Sequence, residues 1–503
     1  MKINAVNNDK QITFKSALSP VSKALYTLSN NDMLNASFVD VFAMDTPRTI
    51  IETKHRGKQA GIEMGFREYT GTFIAEFSSA VFAILTSKLA GRKYKPEIKV
   101  NSGSWITNKG LDVFSDIYKN SDKTPKGYVE KILSSMTGLV GKEKKVFANI
   151  DSEKTAPIVE KITNLITDSN IGKKETKTIL GEVQDEIINL LGADNNITIK
   201  SGAYEVSSNL THALRDVVDS GKNIFFNSTK TNADSIISKL KTVNKLRIGI
   251  AIPLAMSIAV TNQYINRKLT KRRTGIDNFV GENGYANNVA NKSQKGKEKG
   301  LLAKKIASAG AFLFMLSKVM GVKKPLDLVK KLEFDGPVTS GSTIKTVYGT
   351  LILGRIFASK DSTELRETNV RDYLGFLNWL VLGGFVSKGI ANMLDRGQKN
   401  LFNITKEGKG VVHWLKDISL KSQKEVIAQG GDVAKNLLKL NFAQIGGIAY
   451  SAVMLGVLLP KLNIWMTKHN KKGDTQKQNE VQTTVNSLQL KELFKSSKID
   501  FQK

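Results

Sequence analysis

Two uninterrupted runs of uncharged residues limit what this chain can fold into. Residues 440–460 form a run of 21 residues between Lys439 and Lys461, and residues 248–266 form a run of 19 between Arg247 and Arg267. A helix needs about 20 apolar residues to cross the hydrocarbon core of a bilayer. Both runs therefore predict helices that can span a membrane.

Four further segments are almost long enough, but each carries a charge within or beside its apolar part. They are 69–87 with Glu76, 301–320 with Lys305 and Lys318, 346–359 with Arg355, and 373–394 with Lys388. A charge near the middle of a span is costly. The sequence predicts an all-α protein, a multi-helix membrane bundle of about four to six apolar helices with an inserted soluble helical domain. The alternative is that some segments are buried helices of a soluble core, for which runs of about 10–14 apolar residues are typical.

Small residues recur at every fourth position in the first of these segments. Gly71, Ala75, Ser79, Ala83 and Ser87 form an unbroken row, and shorter rows occur within 383–391 and 443–451. Helices in a bilayer associate where small residues let their backbones approach, since lipid provides no hydrophobic drive between helices. The row of five predicts a tight helix contact, in lipid or in a soluble bundle.

The more polar parts of the chain differ from these segments in the spacing of their apolar residues. Between 91 and 245, apolar residues recur at helical spacing, as in 173–192, so this stretch predicts a soluble helical domain inserted between hydrophobic segments. The predicted order along the chain is an N-terminal tail and amphipathic helix (1–45), a charged helix running into the first apolar segment (46–90), the inserted domain (91–245), apolar helices with a basic loop at 268–300 (246–394), an amphipathic region (395–440), the last transmembrane helix (441–466) and a basic polar tail (467–503).

Positive charge dominates the chain, with 75 Lys and Arg against 46 Asp and Glu. Nucleic-acid binding would call for a basic stripe interleaved with aromatic residues or a known reading motif, and neither is evident. Instead many cations lie just outside apolar segments, where each contributes about 1 kcal/mol of attraction to anionic lipid headgroups. The clearest group is Arg267, Lys268, Lys271, Arg272 and Arg273. The predicted partner is therefore the bilayer, and nucleic acid is disfavoured; a generally lysine-rich soluble surface is the alternative.

Catalytic and metal-binding motifs are missing from the sequence. There is no cysteine, and the four His residues, at 55, 212, 413 and 469, form no HExxH pair. A Gly-x-Ser-x-Gly elbow is missing, and residues 336–343 have the glycines of a phosphate loop but Ser342 in place of its lysine. We therefore expect no catalytic residue, no cofactor and a non-enzymatic role, with protein partners binding through 91–245. The oligomeric state stays open.

The densest set of charges lies between Asp45 and Glu76. Local pairs four residues apart on a helix explain part of this density at a few tenths of a kcal/mol each. If the helix carrying Glu76 is in lipid, however, that carboxylate needs a partner. We predict that Glu76 pairs with Arg355, the other charge in the middle of an apolar segment, as a structural bridge or as part of a polar path through the bundle.

The opening residues, MKINAVNN followed by ITFKS, resemble the start of uncharacterised bacterial multi-helix membrane proteins. The resemblance covers about sixteen residues, implies a bacterial origin and carries no activity or functional residue. Together with the apolar helices, it predicts an integral protein of the bacterial inner membrane that acts as a scaffold or assembly protein. The alternatives are a transporter or channel for a small solute, and a soluble basic helical protein that binds nucleic acid or a protein.

Overall fold

The computed structural model describes residues 18–94, 105–226, 233–275, 300–335, 338–406, 408, 410–467 and 469. Most of them are helical, which confirms the all-α class. The α-helices are α1 (Pro20–Ser29), α2 (Asp32–Phe38), α3 (Thr46–Arg56), α4 (Lys58–Phe73), α5 (Ser79–Tyr94), α6 (Asn108–Lys119), α7 (Pro125–Ser134), α8 (Ser152–Thr167), α9 (Lys173–Leu191), α10 (Leu210–Phe226), α11 (Ala233–Leu246), α12 (Ile252–Thr274), α13 (Leu301–Val319), α14 (Gly341–Ala358), α15 (Ser362–Leu377), α16 (Gly383–Leu394), α17 (Val411–Asp417), α18 (Gln423–Gln429) and α19 (Val433–Ser451).

Three continuous helices are long and apolar enough to cross a membrane within the residues described. We call them the first (Lys58–Lys93), second (Ala233–Thr274) and third (Val433–Thr467) apolar helices. The prediction of four to six spans is therefore corrected to three candidates. The segments 301–320 and 346–359 form α13 and α14, of 19 and 18 residues. The segment 373–394 belongs to a longer helix that runs from α15 through the π-helical Asn378–Leu382 to the end of α16. Charges interrupt the apolar character of all three.

Wide π-helical turns occur in each of these apolar helices. They lie at Ile74–Ser78, Arg247–Ala251 and Ala452–Leu458, and two more occur at Val39–Asp45 and Asn378–Leu382. Such segments are rare in proteins and are frequent at functional sites. All five lie outside residues 105–226.

A four-stranded antiparallel sheet is the main feature that the sequence analysis missed. Its strands are β1 (Met136–Val140), β2 (Glu143–Val146), β3 (Ile197–Ser201) and β4 (Tyr204–Ser208), in the order β2-β1-β3-β4. Alternate side chains of β3 are buried, as expected when one face of a sheet packs on a core. Two-stranded ribbons are formed by β5 (Phe334–Asp335) with β6 (Val338–Thr339) and by β7 (Phe402–Ile404) with β8 (Ile418–Leu420).

Helices α6 to α10 and the four-stranded sheet make up the peripheral domain, residues 105–226. Its apolar side chains form one core, and that core continues into the start of the second apolar helix through Ile236 and Leu240 and into the 391–443 region through Phe402. The remaining helices form the bundle, with three smaller apolar clusters. The peripheral domain is thus packed onto the bundle.

Exposed apolar side chains distinguish these two parts. Among the large apolar side chains that the structure exposes, Tyr204 is the one that belongs to residues 105–226; the others lie in the bundle helices and their connections. They include Phe73, Leu89, Phe314 and Phe442, which are 58–64% exposed. Water-soluble domains rarely expose large contiguous apolar areas. Exposed apolar side chains occur on all three apolar helices, including Leu254 on the second. The bundle thus differs from a water-soluble domain in its surface.

Candidate functional site

Charged side chains fill the centre of the bundle, the reverse of a water-soluble core. A helical hairpin begins the arrangement: Gly57, with a φ of 93°, separates α3 from α4, so the single charged helix predicted for 46–90 is broken there. Gly61 lets the two helices approach, because a Cβ at this position would lie 1.8 Å from the Thr53 hydroxyl oxygen. The hairpin brings the charges of α3 alongside those of the first apolar helix.

On α3, Arg48, Glu52 and Arg56 recur every four residues. Residues at this spacing share one face of a helix, so their charged side chains form one row. Helix α15, with Arg355 of α14, supplies the opposing charges. We call the whole set the charge stripe, and each member is at most 5% exposed: Arg48, Glu52, Arg56, Glu63, Arg67, Glu68, Arg355, Glu367, Arg371 and Asp372.

Arg355 lies at the centre of the charge stripe. Its Nη1 is 3.0 Å from Asp372 Oδ1 and its Nη2 is 3.3 Å from Glu68 Oε2. Arg371 Nε donates to the same Asp372 oxygen at 2.8 Å. Arg48 Nη1 lies 3.7 Å from Glu68 Oε2. Arg371 Nε also lies 3.9 Å from Glu68 Oε1, so one carboxylate of the first apolar helix joins cations from three other helices.

The centre holds more cationic than anionic groups, because Arg67 also lies 3.6 Å from Glu68. Four guanidinium groups thus surround the carboxylates of Glu68 and Asp372. Within the part of the chain that the structure describes, Arg48 Nη2 and Arg355 Nε are buried without a hydrogen-bond acceptor. Buried donors of this kind normally bind a protein group or an ordered water.

A second group of pairs ties the end of α3 to α15 and to the third apolar helix. Arg56 donates two hydrogen bonds to Glu367, at 2.8 and 3.2 Å, and lies 3.5 Å from Glu52. The Thr467 hydroxyl also donates to the Glu367 carboxylate, and Asn463 Nδ2 donates to the Glu367 carbonyl at 3.3 Å. This bidentate geometry is the strong form of an arginine–carboxylate contact.

Glu76 and Arg355, the pair predicted from the sequence, do not form an ion pair with each other. Arg355 Nη2 lies level with Gly71, since a Cβ added to Gly71 would be 3.2 Å from it. Glu76 lies five residues further along the helix, a rise of about 7.5 Å, and is therefore at a different level from the Arg355 guanidinium. Glu76 instead accepts a hydrogen bond from Ser37 and lies beside Asp40. Both residues are buried charges, as predicted, but they face different neighbours.

All five residues of the predicted packing row, from Gly71 to Ser87, are buried. Ser87 accepts a hydrogen bond from Arg247 Nε at 2.6 Å, which fastens the first apolar helix to the second. The shorter rows also make contacts, because a Cβ at Gly447 would lie 2.8 Å from the Gly383 carbonyl oxygen. A close approach outside these rows joins Gly354 to the backbone of Val260.

The predicted basic cluster is divided by the structure. Arg267 turns inward and pairs with Glu364 of α15, whereas Lys268, Lys271, Arg272 and Arg273 are exposed. Helix α12 continues to Thr274, so these four cations belong to its last turns and the loop predicted to begin at 268 starts later. Residues 276–299 lie outside the described part of the chain, as do 1–17 and 470–503.

A separate buried polar cluster joins the peripheral domain to the region before the third apolar helix. Glu425 accepts hydrogen bonds from the backbone N–H groups of Asp194, Asn195 and Ser422 at 2.7–3.0 Å. Asp194 accepts from the Tyr26 hydroxyl at 3.0 Å. Burial and the neighbouring Asp194 carboxylate raise the pKa of Glu425 to about 7. These contacts fix the position of the domain against the bundle.

A polar cleft of about 680 Å³ opens beside this cluster, between the sheet and the start of α14. Its walls carry mainly Asn, Ser and Thr side chains, with Asp32, Lys144, His212 and Lys406 as the charged or titratable ones. Ser340, within the 336–343 stretch that has the glycines of a phosphate loop, caps α14 by accepting a hydrogen bond from the Thr343 N–H at 3.3 Å. Residues 341–343 of that stretch therefore form the start of a helix.

Comparison with protein-family models, with curated proteins and with solved structures found no match to this chain. Among the described residues, no group of three or more His, Cys, Asp or Glu side chains is arranged to hold a metal ion.

Proposed function

We propose that this chain is an integral membrane protein, as the sequence predicts, of the bacterial inner membrane. Three helices of sufficient length and apolar character support this proposal. The distribution of side chains supports it further, because the bundle exposes apolar groups and buries charged ones. The exposed cations at the end of the second apolar helix, Lys268 to Arg273, suit contact with anionic headgroups.

Within that setting, the charge stripe best supports transport of a small charged solute, including the proton, along the centre of the bundle. On the first apolar helix the buried polar side chains continue from Glu63, Arg67 and Glu68 of the charge stripe to Thr72 and Glu76. Together they extend over about 20 Å, two thirds of a hydrocarbon core of about 30 Å. Ionisable groups inside a membrane bundle are costly and commonly mark ion pathways or proton relays. Buried ion pairs contribute little net stability, so stability alone is a weak reason to keep so many. The charge stripe, with the buried Thr72 and Glu76 beyond it on the same helix, is the observation that carries this proposal.

A membrane scaffold or assembly protein is the second candidate. The observation that favours it is the pairing within the charge stripe, where Arg56–Glu367 and Arg355–Asp372 make close contacts that fix one arrangement of the helices. The peripheral domain would then present a protein-binding surface. A soluble basic protein is disfavoured by the exposed apolar side chains of the bundle.

Membrane extraction tests the integral assignment. We expect the full chain to stay in the membrane fraction after washing with alkaline carbonate or high salt, and to be released by detergent. The physical reason is that the apolar faces of three helices would be exposed to water on release. Release by carbonate or salt alone would contradict the integral assignment.

A flux measurement tests transport. The purified protein is placed in liposomes containing a pH-sensitive or a chloride-sensitive dye, and a potassium diffusion potential drives ion movement. We expect flux above that of empty liposomes, and a decrease of at least tenfold for Glu68→Gln, because this change removes the carboxylate shared by several arginines. Glu130→Gln, on the surface of the peripheral domain and 53% exposed, is the matched control. Wild-type flux equal to that of empty liposomes would favour the scaffold.

A further inference from the structure

An acidic group lies beyond the arginine-rich centre of the charge stripe. Asp40 and Asp45 both belong to the π-helical segment Val39–Asp45, and both are 0% exposed. They are five residues apart, the spacing that a π-helical hydrogen bond closes, and their two carboxyl groups interact electrostatically. Glu76 of the first apolar helix lies against Asp40. Three carboxyl groups therefore meet inside the bundle.

Asp40 is buried in this group without a hydrogen-bond donor. Neither of its carboxyl oxygens accepts a hydrogen bond from any residue that the structure describes. Asp45 is partly satisfied, since its Oδ2 accepts from the Thr72 hydroxyl at 2.8 Å, but its Oδ1 is buried without a donor. Fully buried ionised carboxylates normally have several donors. The carboxyl oxygens without a donor indicate that Asp40 and Asp45 are not both ionised.

Cations do not compensate these groups. Across the described residues, Asp40 and Asp45 form no ion pair within 4 Å. The positive group facing them is Arg48, but its Nε donates to the Leu455 carbonyl at 3.0 Å and its Nη1 is directed at Glu68. The other facing groups add no positive charge: they are Glu68, Glu76, Thr72 and the phenol of Tyr348.

We propose that Asp40 binds a proton in the folded protein and, with Asp45, forms a proton-binding site at the acidic end of the charge stripe. A buried carboxyl group without a cation lowers its free energy most readily by taking up a proton, which removes the charge. Once protonated, Asp40 can donate a hydrogen bond to the Glu76 carboxylate beside it. A proton fits better than a metal ion because the carboxyl groups of Asp40, Asp45 and Glu76 do not converge as metal ligands do: among the described residues, no group of three or more His, Cys, Asp or Glu side chains could hold a metal ion.

Any part that this site plays in transport rests on the proposed function, whereas proton binding itself does not. Infrared difference spectroscopy of the full-length protein in detergent, in water and in heavy water, measures it directly through the C=O stretch of protonated carboxylic acids. At neutral pH we expect this band in the wild type and a clear decrease in Asp40→Asn. Asparagine has the shape of the protonated acid, so the variant should fold. Asp122→Asn, on the surface of the peripheral domain, should leave the band unchanged.

The pH dependence of thermal unfolding tests proton binding independently of the infrared spectra. The thermal midpoint of the wild type should fall from mildly acidic to mildly alkaline pH, because the folded state holds a proton that the unfolded chain releases. The midpoint of Asp40→Asn should fall less over the same range.

Two results would overturn the proposal. One is a band that is missing from the wild type or identical in Asp40→Asn. The other is stabilisation of the wild type, but not of Asp40→Asn, by sodium at constant pH and ionic strength, which would identify a cation site. If liposomes show no flux while the infrared band behaves as expected, transport fails and the proton site stands.

Discussion

Arg355→Met is expected to lower the free energy of unfolding by about 3–5 kcal/mol, the usual cost of removing one partner of a buried ion pair. Methionine fills a similar volume but leaves Glu68 and Asp372 facing one cation fewer in a site that water does not reach. Thermal or denaturant unfolding of the full chain in detergent measures the loss. Lys345→Met, on the same helix, is the matched control; Lys345 forms no ion pair with a described residue, and a change below about 0.5 kcal/mol is expected.

A double-mutant cycle distinguishes the observed partner of Arg355 from the one predicted by the sequence. Arg355→Met combined with Asp372→Asn should be less destabilising than the sum of the two single changes, because each single change leaves a buried charge uncompensated. Arg355→Met combined with Glu76→Gln should be additive within about 0.5 kcal/mol. Coupling to Glu76 but not to Asp372 would show that the described arrangement of the charge stripe is wrong.

Gly354→Leu is the second change with a large expected effect, at about 3 kcal/mol of lost stability, the upper end of the range for overpacking. A Cβ at this position would lie 2.8 Å from the Val260 carbonyl oxygen and 2.9 Å from the Val260 Cα. Backbone atoms cannot rotate away as a side chain can, so helices α12 and α14 would have to separate. We expect a lower thermal midpoint and a smaller monodisperse fraction in size-exclusion chromatography.

Gly310→Leu provides the control for that change, because Gly310 is also helical but, apart from its own stretch of helix, no atom lies within 4 Å of its added Cβ. Replacing an unpacked helical glycine is expected to be neutral or to stabilise by up to about 1 kcal/mol. Equal destabilisation by the two changes would show that the close contact between Gly354 and Val260 is not the cause of the loss of stability.

The sequence was informative about which segments are helical and about where charge is buried. Apolar runs identified the second and third apolar helices, since length and flanking cations are local properties. The period of four also marked the face of the first apolar helix that the structure buries, from Gly71 to Ser87. Glu76 and Arg355 stood out because a charge inside an apolar run is visible without any knowledge of the fold.

The partners of those charges could not be read from the sequence. Arg355 meets Glu68 because Gly57 reverses the chain and α14 packs at the level of Gly71, and both are properties of the three-dimensional arrangement. The sheet was missed for a related reason. Strands of four or five residues are too short for a reliable period, and Tyr204–Ser208 runs directly into a helix with a strong apolar face.

The distances along the chain that the charge stripe bridges have a consequence for biosynthesis. Glu68 meets a residue 287 positions later, and Arg56 meets one 311 positions later. At a synthesis rate of about 5–20 residues per second, Glu68 waits roughly 15–60 s before Arg355 has been made. Until then Arg48 and Arg67, which have already been made, are the guanidinium groups of the charge stripe that can lie beside Glu68. The contacts of the N-terminal hairpin with α14 and α15 can therefore form only after the ribosome has made those two helices.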